Sequence, residues 1–240
     1  MLRTLLGELP RQNEGLMQEA IENMVTALQK LQTHIEQNND PTHDYRRAEI
    51  FTQGLISSLD ELEQSHFAAA FFRKKVKAGY VDDMTLEEQA DYARYVYFYK
   101  DGFIRLFSVL DKLGNMLNDL YDLHTAKVKP HFSYFTVIRQ FHYLKLHPEL
   151  ENKLYQINES YRDPVSRLRK RRNTEIHLMS AEMQDDLWQL HQSLHGKVEL
   201  EDLDQHLEDL KLGLDMACKT LSAAFEYTIQ LWGEKGLQPS

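Results

Sequence analysis

Cysteine is nearly absent: Cys218 is the only one among 240 residues, so the chain can form no internal disulfide and no thiolate zinc site. Long apolar runs are missing too, and no stretch approaches the roughly 20 residues that a membrane-spanning helix requires. The opening segment MLRTLLGELP lacks the apolar core of about 7–15 residues that marks a signal peptide. The expected compartment is therefore the cytoplasm, with no membrane partner. No Pro-, Gly- or Ser-rich linker interrupts the helical patterns, so a single domain over 1–240 is expected. Positive charge is scarce: 28 Lys and Arg stand against 37 Asp and Glu, for a net charge of -9. The body as a whole does not attract polyanions, and any contact with nucleic acid needs a local patch. P-loop, GxGxxG, CxxC and GxSxG patterns are all absent.

What is present is helical periodicity in a chain whose 42% hydrophobic and 27% charged content suits a globular core. Leu16, Ala20, Met24, Leu28, Leu31 and Ile35 recur at steps of three and four, predicting a helix over about 11–37 that Asn38, Asn39, Asp40 and Pro41 end. A second, about 44–78, carries Phe51, Leu55, Leu59 and Leu62 and stops at Arg73, Lys74, Lys75 and Lys77 before Gly79. The third runs from about 85 to 123, opened by Thr85 and Glu88 at capping-box spacing. Its stripe, from Tyr92 through Tyr99 and Phe103 to Leu120, is rich in aromatics and reads as core. Shorter helices are expected near 133–145, 148–160 and 164–180, the last two opened by Pro148 and by Asp163 with Pro164. The last long helix begins among Glu199, Glu201, Asp202 and Asp204 and stops at Gly233. With no alternating strand pattern, the fold class is all-α: an elongated antiparallel bundle of four long helices plus shorter ones.

Two pairs of potential ligands invite a metal reading. Glu63 and His66 have ExxH spacing on one helical face, but a carboxylate-bridged metal pair needs a second copy and two further glutamates. A hydrogen-bonded histidine beside Leu55, Leu59 and Leu62 is the better reading. His191 and His195 share a face without a third ligand, which suits a solvated surface. Neither a metal nor another cofactor is expected.

The segment YRDPVSRLRKRRNTEIH stands apart, crowding Arg162, Arg167, Arg169, Lys170, Arg171 and Arg172 into an acidic chain. Alone, such a run is a solvated helix face. Here it leads into Asn173 and His177, four apart on one helical face, with Arg172 at the edge of that face. An arginine can hold a phosphate through two donors, and a histidine can move a proton near neutral pH. No metal is required where the RNA's own 2′-hydroxyl is the nucleophile.

Arg172-Asn173-Thr174-Glu175-Ile176-His177 resembles the motif of the HEPN superfamily of helical nucleotide-binding and ribonuclease domains: Arg, a polar residue, then His after four to six positions. The strict Arg-Asn-x3-His form is expected about 0.02 times by chance at this composition. The resemblance covers about 162–180 directly. It implies a metal-independent endoribonuclease, or an RNA- or nucleotide-binding domain, in which Arg172 and His177 from two subunits of a homodimer meet and Asn173 contacts the phosphate. Arg167, Arg169, Lys170 and Arg171 would bind RNA, and Arg171 could replace Arg172, since it begins a five-residue spacing to the same histidine. The family also includes toxins paired with a protein antitoxin, defence ribonucleases, and noncatalytic interaction or nucleotide-binding modules.

Overall fold

The computed structural model describes residues 2–12, 14–37, 40–177 and 196–235. Among them the chain is all-α, with one isolated β-bridge between Tyr80 and Glu199. In chain order the helices are α1 (Leu2–Leu5), α2 (Gly15–Glu36), α3 (Asp44–Arg73), α4 (Leu86–Leu120), α5 (Tyr134–Leu144), α6 (Pro148–Ser160), α7 (Arg162–His177) and α8 (Leu203–Lys235). The four long helices of the sequence pattern are α2, α3, α4 and α8. Asn38, Asn39, the 178–180 end of the predicted seventh helix and the His191/His195 pair lie outside the described residues.

Several end signals act differently from their sequence reading. Asp40, expected to stop α2, instead caps α3: its carboxylate accepts the backbone N–H of Tyr45 at 3.1 Å and of Arg46 at 2.9 Å. Helix α3 ends at Arg73 rather than near 78, and the Arg73 guanidinium donates to the Val76 carbonyl at 2.7 Å, satisfying a group just past the last turn. Gly79 therefore has no helix end to turn, and its backbone is not left-handed. Thr85 caps α4 through the Glu88 N–H at 3.2 Å. The Glu88 carboxylate reaches farther than a capping box requires, accepting from the backbone N–H groups of Lys77 and Ala78. Those bonds, Ala78 first, hold the Glu88 carboxyl below the usual carboxylate range. Gly233 does not stop α8, which continues to Lys235.

The described residues fall into two compact units, the first drawn from 1–11, 61–106 and 162–214 and the second from 12–60, 107–161 and 215–240. In the first, Leu62, Ala69, Tyr95, Tyr99, Leu106, Leu168 and Leu210 are fully buried. Two glycines let the helices close on one another. A Cβ at Gly102 would lie 2.7 Å from a Leu210 methyl, and one at Gly213 would meet Leu106 at 2.6 Å and Leu168 at 3.0 Å. Helix α7 is thus packed against α4 and α8 through Leu168, with Val165 buried beside it in sequence. The loops are tied by backbone bonds from Val81 to Val198 and from Leu200 to Gly79, both 2.9 Å.

The second unit buries Ala20, Met24, Ala27 and Leu31 of α2, a stripe at steps of four, three and four as the sequence pattern requires. Leu55, Leu59, Leu110, Leu113, Leu117, Phe141, Leu154, Leu221 and Phe225 are fully buried in it as well. Gly114 brings α4 onto the start of α5: an added Cβ would stand 2.9 Å from the Tyr134 Cα, a backbone atom that cannot swing aside. Asp111 accepts the Tyr134 N–H at 2.9 Å, and the Tyr121 and Thr228 hydroxyls pair at 2.8 Å.

Candidate functional site

Helix α7 carries the whole Arg-Asn-x3-His segment, and its local sequence explains its placement. Pro164 falls in the first turn, where a missing N–H costs no helical bond. Val165 and Leu168, three apart, supply the buried stripe, while Lys170, Asn173 and Thr174 are exposed and Ile176 is half-exposed. At about 100° per residue, Asn173 and His177 stand about 40° apart around the axis. Arg172 stands about 140° from position 177 on the same helix. Arg172 itself is half-buried.

The basic run divides into two groups. Arg167 makes a two-pronged pair with Asp209 of α8, Nε to Oδ2 at 2.7 Å and Nη2 to Oδ1 at 2.6 Å, and Gln205 also donates to Oδ1 at 2.9 Å. Asp209 is 1% exposed. One helical turn on, Arg171 donates to Glu201 Oε2 at 3.0 Å and to His206 Nε2. The Tyr99 ring stacks on His206, centroids 5.3 Å apart and planes 17° from parallel, and Tyr95 stacks on Tyr99 at 5.9 Å. Burial pushes the Tyr99 phenol up, and burial together with the neighbouring Arg171 guanidinium pushes the His206 imidazole down to about 4. His206 is therefore neutral at pH 7, with its Nε2 beside both the Arg171 guanidinium and Glu201 Oε2, the latter at 3.1 Å. Arg167 and Arg171 thus bind α7 to α8. Glu175, inside the motif, pairs with Lys100 of α4 at 3.0 Å. Lys170 is exposed and Arg169 half-buried.

The acids that receive these arginines escape a reading of the sequence, in which Glu201, Asp202 and Asp204 only mark where α8 begins. Asp202 does cap α8, through the Gln205 N–H at 2.9 Å, but Asp204 pairs with Arg73 at 2.9 Å and Glu201 with Arg171. A signal is present: arginines at 167 and 171 repeat at the spacing of one helical turn, and such a pair matches a neighbouring helix as well as it matches a phosphate. Removing one partner tests this structural role. Arg167→Ala should strand the buried Asp209 carboxylate and lower unfolding stability by about 3 kcal/mol in urea titration. A loss below about 1 kcal/mol would mean that the pair behaves as an ordinary surface bridge.

No metal reading gains support from Glu63 and His66. Glu63 takes the Arg3 and Arg11 guanidinium groups, and burial, Lys211 and Arg3 push the His66 imidazole down to about 4. Among the described residues no three His, Cys, Asp or Glu side chains are grouped to hold an ion. None of the described helices is long and apolar enough to cross a membrane.

Comparison with known proteins gives a family match. The family model Cthe2314-like HEPN covers residues 51–229, from within α3 to within α8, and includes the whole of α7. No curated protein and no solved structure matches the chain. A model that spans most of a chain already shown to be all-α, with an Arg-Asn-x3-His segment on one of its helices, establishes that the chain belongs to the HEPN family, whose general character is that of a nucleotide-binding or ribonuclease-like module.

Proposed function

We propose that this protein binds RNA through Arg172, Asn173 and His177 and cleaves it without a metal, using the 2′-hydroxyl as nucleophile, in a cleft formed by two copies of the chain. The observation that carries the reading is the strict Arg-Asn-x3-His segment on α7 of a chain that a HEPN family model matches. Arg171, the other arginine at motif spacing, pairs with Glu201, and the phosphate is assigned to Arg172 by the Arg-Asn-x3-His form. Asn173 is exposed one position on and can donate an amide N–H to a non-bridging oxygen. Lys170, also exposed, and Arg169 extend the positive field along the strand.

The two-copy arrangement has a geometric basis as well as a family one. Positions about 140° apart on one helix aim away from each other. Two helices related by a two-fold axis can bring Arg172 of one copy and position 177 of the other to the same phosphate. The chain is then a single functional domain that works as a homodimer, and a protein partner covering this face would silence it in the manner of an antitoxin.

Binding is tested separately from cleavage. The chain should bind a short single-stranded RNA with an affinity that falls as salt rises, and Arg172→Ala should reduce the salt slope by about 0.7, the share of a single neutralised phosphate. Arg167→Ala, in whatever fraction stays folded, should leave that slope unchanged. Equal slopes for wild type and Arg172→Ala would remove Arg172 from the interface.

A further inference from the structure

The second unit contains a groove of about 930 Å3 between the 128–129 segment, α5 and α6, at the upper end of the roughly 300–1,000 Å3 typical of small-molecule sites. The Arg-Asn-x3-His segment contributes nothing to it. Its surroundings are chemically unusual for this chain. From Leu123 to Pro148 there is no Asp or Glu, while Lys127, Lys129, Arg139 and Lys145 and four histidines fall in that interval. In a protein of net charge -9, this is a local positive field of the kind an anion needs.

The lining supplies three further elements. Lys129 and Arg139 are exposed and neither has an acidic partner among the described residues; Arg139 uses only its Nε, on the Phe135 carbonyl at 3.3 Å, so its terminal amino groups remain for a ligand. Tyr143 of α5 and Tyr155 of α6 both line the groove at 78% and 55% exposure, and neither ring stacks on another among the described residues. Asn152 adds an exposed amide, able to donate and accept along one edge. Glu151, the one acid among the described lining residues, is engaged by His142 Nδ1 at 3.2 Å.

The walls are held in place. Helices α5 and α6 meet in a turn where Lys145 and His147 are both left-handed, at φ 53° and 48°. The His147 ring is in turn fixed by the Tyr227 hydroxyl at 2.9 Å. A preformed site loses less entropy on binding than one that must be ordered.

Flat aromatic faces, an amide with both hydrogen-bonding senses and cations without acidic partners together match one kind of ligand, an aromatic base carrying a phosphate. We propose that this groove binds a nucleotide unit, its base stacked on Tyr143 or Tyr155, its edge met by Asn152 and its phosphate held by Arg139 and Lys129. Free nucleotide and a nucleotide of single-stranded RNA share this chemistry. The site stands independently of the α7 motif.

The test is calorimetric titration of the full chain carrying Arg172→Ala and His177→Ala, so that the motif contributes no signal. The probes are adenosine monophosphate, adenosine, inorganic phosphate and a short oligoadenylate. Adenosine monophosphate should bind more tightly than adenosine or phosphate. Adding Arg139→Glu should weaken it at least about tenfold, and adding Tyr143→Ala or Tyr155→Ala should weaken it roughly 5- to 150-fold for the ring that carries the base. All three residues are exposed, so circular dichroism and the melting temperature should match the parent. An oligoadenylate that binds more tightly than the monophosphate and also loses affinity with Arg139→Glu would identify the natural source as RNA. Equal affinities would identify it as free nucleotide. The proposal is overturned if the monophosphate does not bind, if adenosine or phosphate alone binds as well, or if the groove variants bind like the parent. Because the parent lacks Arg172 and His177, its titrations read the groove alone, while RNA cleavage by the protein with an unaltered groove and its loss in His177→Ala read the motif, so the two sites fail separately.

Discussion

In the presence of a chelator the protein should cut single-stranded RNA, and His177→Ala should slow that cutting by about 10²–10⁴-fold while leaving helical content unchanged. The size follows from the chemistry. A positioned proton acceptor on the 2′-hydroxyl accounts for that much of the rate, and an alanine cannot accept a proton. Arg172→Ala should also lower the rate, by weakening the hold on a phosphate whose charge grows in the transition state. More telling is a mixture of the two inactive proteins. If each cleft takes Arg172 from one copy and His177 from the other, a mixed dimer contains one intact cleft, and unfolding and refolding an equal mixture should restore roughly a quarter of wild-type activity. A cleft built within one chain would give no recovery. Full activity in purified His177→Ala would end the ribonuclease reading, and RNA binding without cleavage by the wild type would leave a noncatalytic module.

Helix positions are legible because burial leaves a periodic mark. Ala20, Met24 and Leu31 of α2, and Leu55, Leu59 and Leu62 of α3, carry the apolar stripes of the sequence and are fully or almost fully buried. Helix ends are less legible, since they depend on long-range bonds. Asp40 acts on the helix after it, and Glu88 Oε1 accepts from the N–H groups of Lys77 and Ala78, about ten residues back. In the site, the arginine-rich segment announces a phosphate ligand and a helix–helix ion pair with the same letters. Only the placement of Asp209 and Glu201 shows that Arg167 and Arg171 serve as helix-packing ion pairs. The tyrosines of the α5–α6 groove have no periodic mark at all, because Tyr143 and Tyr155 are exposed and come from different helices.

Acid should destabilise the first unit well above the range where carboxylates titrate. His66 and His206 both belong to that unit, and in each the folded-state imidazole is pushed from 6.5 down to about 4, by burial first. Positive neighbours add to it: Lys211 and Arg3 for His66, and Arg171 for His206, where Asp209 and Asp202 partly oppose the shift. Between pH 6.5 and 4 the unfolded chain therefore holds protons on these two rings that the folded chain does not. Stability is fully present above pH 6.5 and falls through that window, by about 1.4 kcal/mol per pH unit for each histidine. Each accounts for on the order of 3 kcal/mol across the window, and the two together rival the 5–15 kcal/mol of a typical domain. Urea unfolding at pH 7, 5.5 and 4.5 should show the loss. Replacing both rings by groups that do not titrate, His66→Gln with His206→Gln, should flatten the acid limb even if it lowers stability at pH 7. A double variant that keeps the wild-type dependence on pH would show that neither ring is kept neutral by the fold.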